Sequence, residues 1–212
     1  MTMQKWASLA SFLLVLAFIV APWIYLTGNL RDAFGAVTYD LADLLYGPVW
    51  AASLVTAFFA LREHIGERAP RRTSMALLAA VLAAGAMVFV ACIRSANRHY
   101  HINHPELYLE TSSTVLTVWT TLVAGLTGAG WHFLGWALVL TGSAAWTSER
   151  LPRLLGSLYL VGGIAALFVY LFPELEGLAA LLGIAWGIWQ GIFFWRAGSG
   201  ETQAPEKIAE SI

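Results

Sequence analysis

The chain alternates between long apolar runs and short polar clusters. Each run approaches the roughly 20 residues needed to cross a bilayer's hydrocarbon layer. The first is WASLASFLLVLAFIVAPWIYL, residues 6–26. The second extends from about Asp43 to Leu61, with Pro48 near its start, and the third is MALLAAVLAAGAMVFVACI, residues 75–93. The fourth lies within Ser113 to Trp146, the fifth covers about Leu154 to Phe172, and the sixth about Leu178 to Trp195. Continuous runs of this kind predict helices; a β-barrel would show short alternating segments instead. The first run is longer than a signal-peptide core and no A-x-A site follows it, so it is expected to be retained as a helix.

Composition sharpens this reading. The 212 residues are 58% hydrophobic and only 12% charged, against about 25% charged in soluble domains. The net charge of −1 gives nucleic-acid binding no electrostatic basis. Cys92 is the lone cysteine, so neither an intramolecular disulfide nor a CxxC site is available. Many of the ten tryptophans lie near the ends of apolar runs, where an amphipathic ring suits the membrane interface.

With six spans, both termini fall on one side. That side collects Lys5, Arg62, Arg68, Arg71, Arg72, Arg150, Arg153, Arg196 and Lys207, leaving Arg31, Arg94 and Arg98 opposite. The bias predicts cytoplasmic termini. The expected fold class is therefore all-α: a polytopic helical membrane protein with six transmembrane helices and both termini cytoplasmic. Residues 1–197 form its single membrane domain, and the polar tail 198–212 is expected to be mobile.

Ionisable groups concentrate in RHYHINHPELYLE, residues 98–110, which this topology makes an outside loop. Pro105 disfavours α geometry at His104 and suits the first turn of a following helix. Glu106 and Glu110 then lie one turn apart, and their mutual repulsion calls for a nearby cation. His101, His104, Glu106 and Glu110 are a candidate set for a divalent metal such as zinc, which takes imidazole and carboxylate ligands. The alternative is an interfacial loop of His, Tyr and Arg–Glu pairs. The spacing matches no established zinc signature.

From Pro105 to Trp146 only GLTGAG, residues 125–130, interrupts helical character. This segment is too long for one span, so it is expected either to project or to bend at Gly125, Gly128 and Gly130. At 100° per residue, Glu110, Thr114, Thr117, Thr121, Gly125, Gly128, His132, Gly135 and Gly142 share one stripe. His132 is the one histidine within a span, a functional candidate by position, although small residues equally serve close helix packing. Asp40 and Asp43, before the second span, are natural partners for Arg94 and Arg98. These four residues and His132 form a candidate outward polar pocket. Gly183, Gly187 and Gly191 repeat every four residues, a packing face for another helix of the chain or for a partner. Gln190 is the only amide side chain within a span.

WHFLGWALVLTGSAAWTSERLPRLLGSLYLVGG, residues 131–163, joins a long apolar helix through a short polar turn to a span opened by LPRLLG. It resembles an uncharacterised family of six-helix bacterial membrane proteins. The resemblance implies a bacterial inner-membrane location and the six-helix layout; it implies no activity and no site residues.

No Walker loop, GxSxG, HExxH or dinucleotide fingerprint is present. Three functions are compatible with these features. The first is a binding, sensing or accessory module with an outward polar cluster. The second is a small transporter using the Thr/Gly/His132 stripe. The third is a metal-dependent enzyme acting at the outer leaflet. Expected partners are the lipid bilayer and, through the glycine face of the sixth helix, a second copy or another membrane protein.

Overall fold

The computed structural model describes residues 2–27, 36–104 and 113–199. The first apolar run is α1, Met3–Thr27, which continues through Pro22. The second is one rod built from α2 (Ala36–Leu44), a π-helical turn (Leu45–Val49) and α3 (Trp50–Ile65). Pro48 has no N–H and its ring crowds the carbonyl one turn back. Widening the helix by one residue at this point accommodates it. Then follow α4 (Pro70–Asn103), α5 (Ser113–Ser148), α6 (Arg153–Phe168) and α7 (Leu175–Gly198). No strand occurs among the described residues.

The rods close into a ring in chain order: α1 packs on α3, α3 on α4, α4 on α5, α5 on α6, α6 on α7, and α7 returns to α1. Gly198 abuts Lys5, so α1 begins and α7 ends at one end of the bundle; the opposite end is called distal below. The core is alanine-rich, with buried Trp50, Trp131, Trp186 and Phe58 filling between close helices. The exterior is apolar as well, with Leu78, Phe89 and Leu181 exposed. Five helices are long and apolar enough to cross a membrane, and α6 is a shorter apolar helix. A bilayer solvates such a surface; water does not.

Two expectations change, for the third and fifth spans, and the choice left open for the fourth is decided. The third span does not end at Ile93, because α4 continues to Asn103. Residues 98–103 are therefore helix and not loop. The polar residues after Ile93 all tolerate helix, and nothing stops it before Pro105. His104 leaves helical geometry at φ −134° and ψ 63°, as a residue before proline should.

The fourth segment is an unbroken helix of 36 residues, about 54 Å long. It is not interrupted at its glycines; α4 beside it is nearly as long, at 34 residues, and α6 much shorter. The fifth apolar run yields only the 16 residues of α6, about 24 Å and short of the roughly 30 Å hydrocarbon thickness. Pro173 biases Phe172 away from helix, and the chain turns through 169–174.

Gly47 lies in the π-helical turn against α4, where an added Cβ would sit 2.4 Å from the Ala91 Cβ. Gly47→Leu is expected to destabilise the protein by about 1–3 kcal/mol through overpacking. Thermal unfolding in detergent beside Gly85→Leu, whose Cβ meets nothing within 4 Å, checks this.

Candidate functional site: a distal chamber between the helices

The distal end is organised by one charge network, buried at Asp43 and partly exposed at Arg98 and Asp40. Arg98 on α4 forks onto two carboxylates of α2, its Nη1 donating to Asp40 and its Nη2 to Asp43. Asp40 and Asp43 are three apart, so both face α4. Asp43 is almost fully buried and also accepts from the Tyr25 hydroxyl of α1. Asp40 accepts from Ser95 at 3.1 Å, and His99 Nε2 lies 3.0 Å from its second oxygen. The Arg98 guanidinium stands 5.4 Å from the Tyr39 ring centroid. Three elements are thereby tied together, with nearly every polar atom engaged.

Arg94, one turn before Arg98, turns to Tyr25, whose hydroxyl donates to Asp43. Its guanidinium lies 5.5 Å from the Tyr25 ring centroid. Among the described residues no carboxylate pairs with it. The expected pairing of the arginines with Asp40 and Asp43 thus holds for Arg98 and not for Arg94. Across the bundle, Trp131 Nε1 of α5 donates to Glu176 Oε1 at 3.2 Å. Glu176 sits in the first turn of α7, where the helix dipole favours a carboxylate.

Two adjoining cavities lie between these groups. One, of about 1150 Å³, is a partly open cavity bounded by the distal parts of α1, α2, α4, α5 and α7. The other, of about 980 Å³, lies between α5 and the 169–176 segment. Arg94, Trp119, Thr127, Trp131, Pro173 and Glu176 line both. The second exists because α6 is short: beyond Phe168 no helix among the described residues stands between α5 and α7. It reaches the outer face of α5 at Thr121, Ala124 and Gly125, which are exposed.

No family model, curated protein or solved structure matches the chain.

The site therefore has to be read from its own chemistry. His132 lines the second cavity, but its ring is used internally. Trp136 Nε1 donates to His132 Nε2 at 3.1 Å, and Nδ1 lies 3.3 Å from the Leu167 carbonyl. An indole can only donate, so Nε2 is the acceptor and the proton sits on Nδ1, facing Leu167. The ring is a bridge from α5 to the end of α6.

The stripe containing His132 divides at this level. Distally, Thr114, Thr117, Thr121 and Gly125 are exposed. Towards the termini, Gly135 and Gly142 lie against the backbone of Gly163 and Gly156 on α6, so that half is a helix crossing.

The metal candidates divide differently. Glu106, Glu110 and the side chain of His101 lie outside the described residues, as do Arg31 and the tail 200–212. His104 is exposed, its ring 5.0 Å from that of Tyr100. Helical geometry sets His99 and His101 on different faces, and His99 turns to Asp40. Among the described residues no group of three His, Cys, Asp or Glu side chains could hold a metal ion.

The glycine face of α7 is filled by α1: Gly183 meets Phe18, Gly187 meets Val15 and Gly191 meets Phe12. Ser8 Oγ donates to the Gly191 carbonyl at 2.8 Å. A partner on that face would have to displace α1. Gln190 accepts from the buried Tyr159 hydroxyl at 2.6 Å, a link between α6 and α7.

Sequence reasoning missed Tyr25, Trp119, Trp131 and Glu176. Only Trp131 carried a local signal, a large ring beside His132 in a glycine-rich stretch. The others depend on which helices adjoin.

Proposed function

We propose that the protein is a binding module of the bacterial inner membrane, with six spans and cytoplasmic termini, whose distal chamber holds an amphipathic ligand at the outer face. The observation that carries this reading is the pair of cavities sharing Arg94 and Glu176 on otherwise aromatic and aliphatic walls. A concave apolar space with a few convergent polar groups is the usual form of a small-molecule site. The arginine bias and the shared end of α1 and α7 support the orientation. Transport along the stripe would require α5 and α6 to part at their glycines.

Gly177 and Gly125 provide the test. Each lines one cavity, and a Cβ on either meets nothing within 4 Å. Gly177→Phe and Gly125→Phe are therefore expected to fill space without breaking the fold, and loss of helical glycine favours stability slightly. Native mass spectrometry of protein released from mild detergent should show a co-purifying amphiphile on the wild type and markedly less on each variant. Equal occupancy on all three would overturn the proposal.

A further inference from the structure

The chamber presents opposite charges to one space. Arg94 and Glu176 line both cavities, yet no ion pair joins them within 4.0 Å. Arg98 also lines the first cavity but is held by Asp40 and Asp43, so Arg94 is the lining cation with no carboxylate partner among the described residues. Trp119, which also lines both cavities, carries a buried indole N–H with no acceptor among the described residues. That donor and Arg94 line the same two cavities, so an anionic group held there has both on its walls. A purely anionic ligand would also face Glu176, and a purely cationic one would face Arg94. A zwitterion satisfies both.

We propose that the chamber selects a lipid with a zwitterionic aminophosphate headgroup, its phosphate on Arg94 and its ammonium on Glu176. The acyl chains leave through the gap between α5 and α7, beyond the end of α6. This deepens the binding role above and rests on it. The choice of a lipid over a soluble zwitterion follows from the apolar walls and from the cavity's opening at exposed Thr121, Ala124 and Gly125. Arginine suits phosphate through its fork of donors, and a charge-assisted contact at Glu176 adds discrimination.

The experiment is a lipid competition. Delipidated protein in mild detergent is offered equimolar phosphatidylethanolamine and phosphatidylglycerol with identical acyl chains, and bound lipid is counted by native mass spectrometry. Wild type is expected to retain phosphatidylethanolamine in roughly tenfold excess. Glu176→Gln, close to isosteric, is expected to keep both lipids and lose the preference, whereas Arg94→Gln loses both. Melting temperatures recorded beside the counts establish that each variant is folded.

Equal retention of the two lipids by folded wild type would overturn the headgroup assignment and leave the binding role standing. Retention of neither would overturn both. Competition by free phosphoethanolamine as effective as that of the whole lipid would overturn the choice of a lipid.

Discussion

Arg98→Met is expected to lower stability by about 3–5 kcal/mol, the cost of leaving a buried ion pair half made. Asp43 is 3% exposed, and loss of Arg98 leaves it with the Tyr25 hydroxyl as a neutral partner. Asp40 retains Ser95 and His99, so the larger share of the loss falls on Asp43. For a chain of this size, that amounts to a fall of roughly 10 °C in melting temperature. Arg98→Lys is expected to recover only part of it, because an ammonium cannot fork onto two carboxylates. The triple variant Arg98→Met, Asp40→Asn, Asp43→Asn is expected to be more stable than Arg98→Met alone, since it removes the stranded charge. Thermal unfolding of the four proteins in one detergent decides the matter. A triple variant no better than the single one would mean that Arg98 acts through packing against Tyr39 and not through charge.

The network also separates what was legible in the sequence from what was not. Among the described residues hydropathy located the apolar part of each rod, because crossing a membrane requires a long apolar stretch and few other structures do; it did not find α2, which begins at Ala36, ahead of the run expected from Asp43. It placed the end of α4 too early, since Arg94, Arg98 and His99 read as polar although they remain helical; Arg98 and His99 find partners on α2, and Arg94 lies over Tyr25 of α1. The pairing of carboxylates with arginines was legible as chemistry. The choice of Arg98 over Arg94 was not, because it depends on the register between two rods separated by a polar turn.

The chamber itself left no local trace. It arises where α6 stops at Phe168, inside a run that stays apolar to Phe172, so hydropathy sees nothing there. The stripe on α5 was visible as a periodicity, but its meaning changes at His132. Only the position of α6 shows that one half is a contact and the other an open face. His132 illustrates the general difficulty. A histidine within a span suggests chemistry, yet both of its nitrogens are committed to Trp136 and Leu167.

The crossing of α5 and α6 links stability to the chamber. A Cβ on Gly135 would lie 2.6 Å from Leu167 N and 2.8 Å from the Gly163 carbonyl oxygen; one on Gly163 would lie 2.8 Å from Val139 N and 2.9 Å from the Gly135 carbonyl oxygen. These neighbours are backbone atoms and cannot rotate away. Gly163→Val is therefore expected to force the helices apart, costing about 3 kcal/mol or more, at the upper end of overpacking penalties. The same separation would draw Leu167 from His132 and carry Tyr170 and Pro173, which line the second cavity, away from α5. Loss of bound amphiphile should accompany loss of stability. Gly85→Val lies in α4 where a Cβ meets nothing within 4 Å, and is expected to change both only slightly. Comparing melting temperature and lipid retention for the two variants separates the crossing from a general effect of helix glycines. A Gly163→Val protein that melts like wild type and keeps its ligand would show that α6 does not fix the chamber wall.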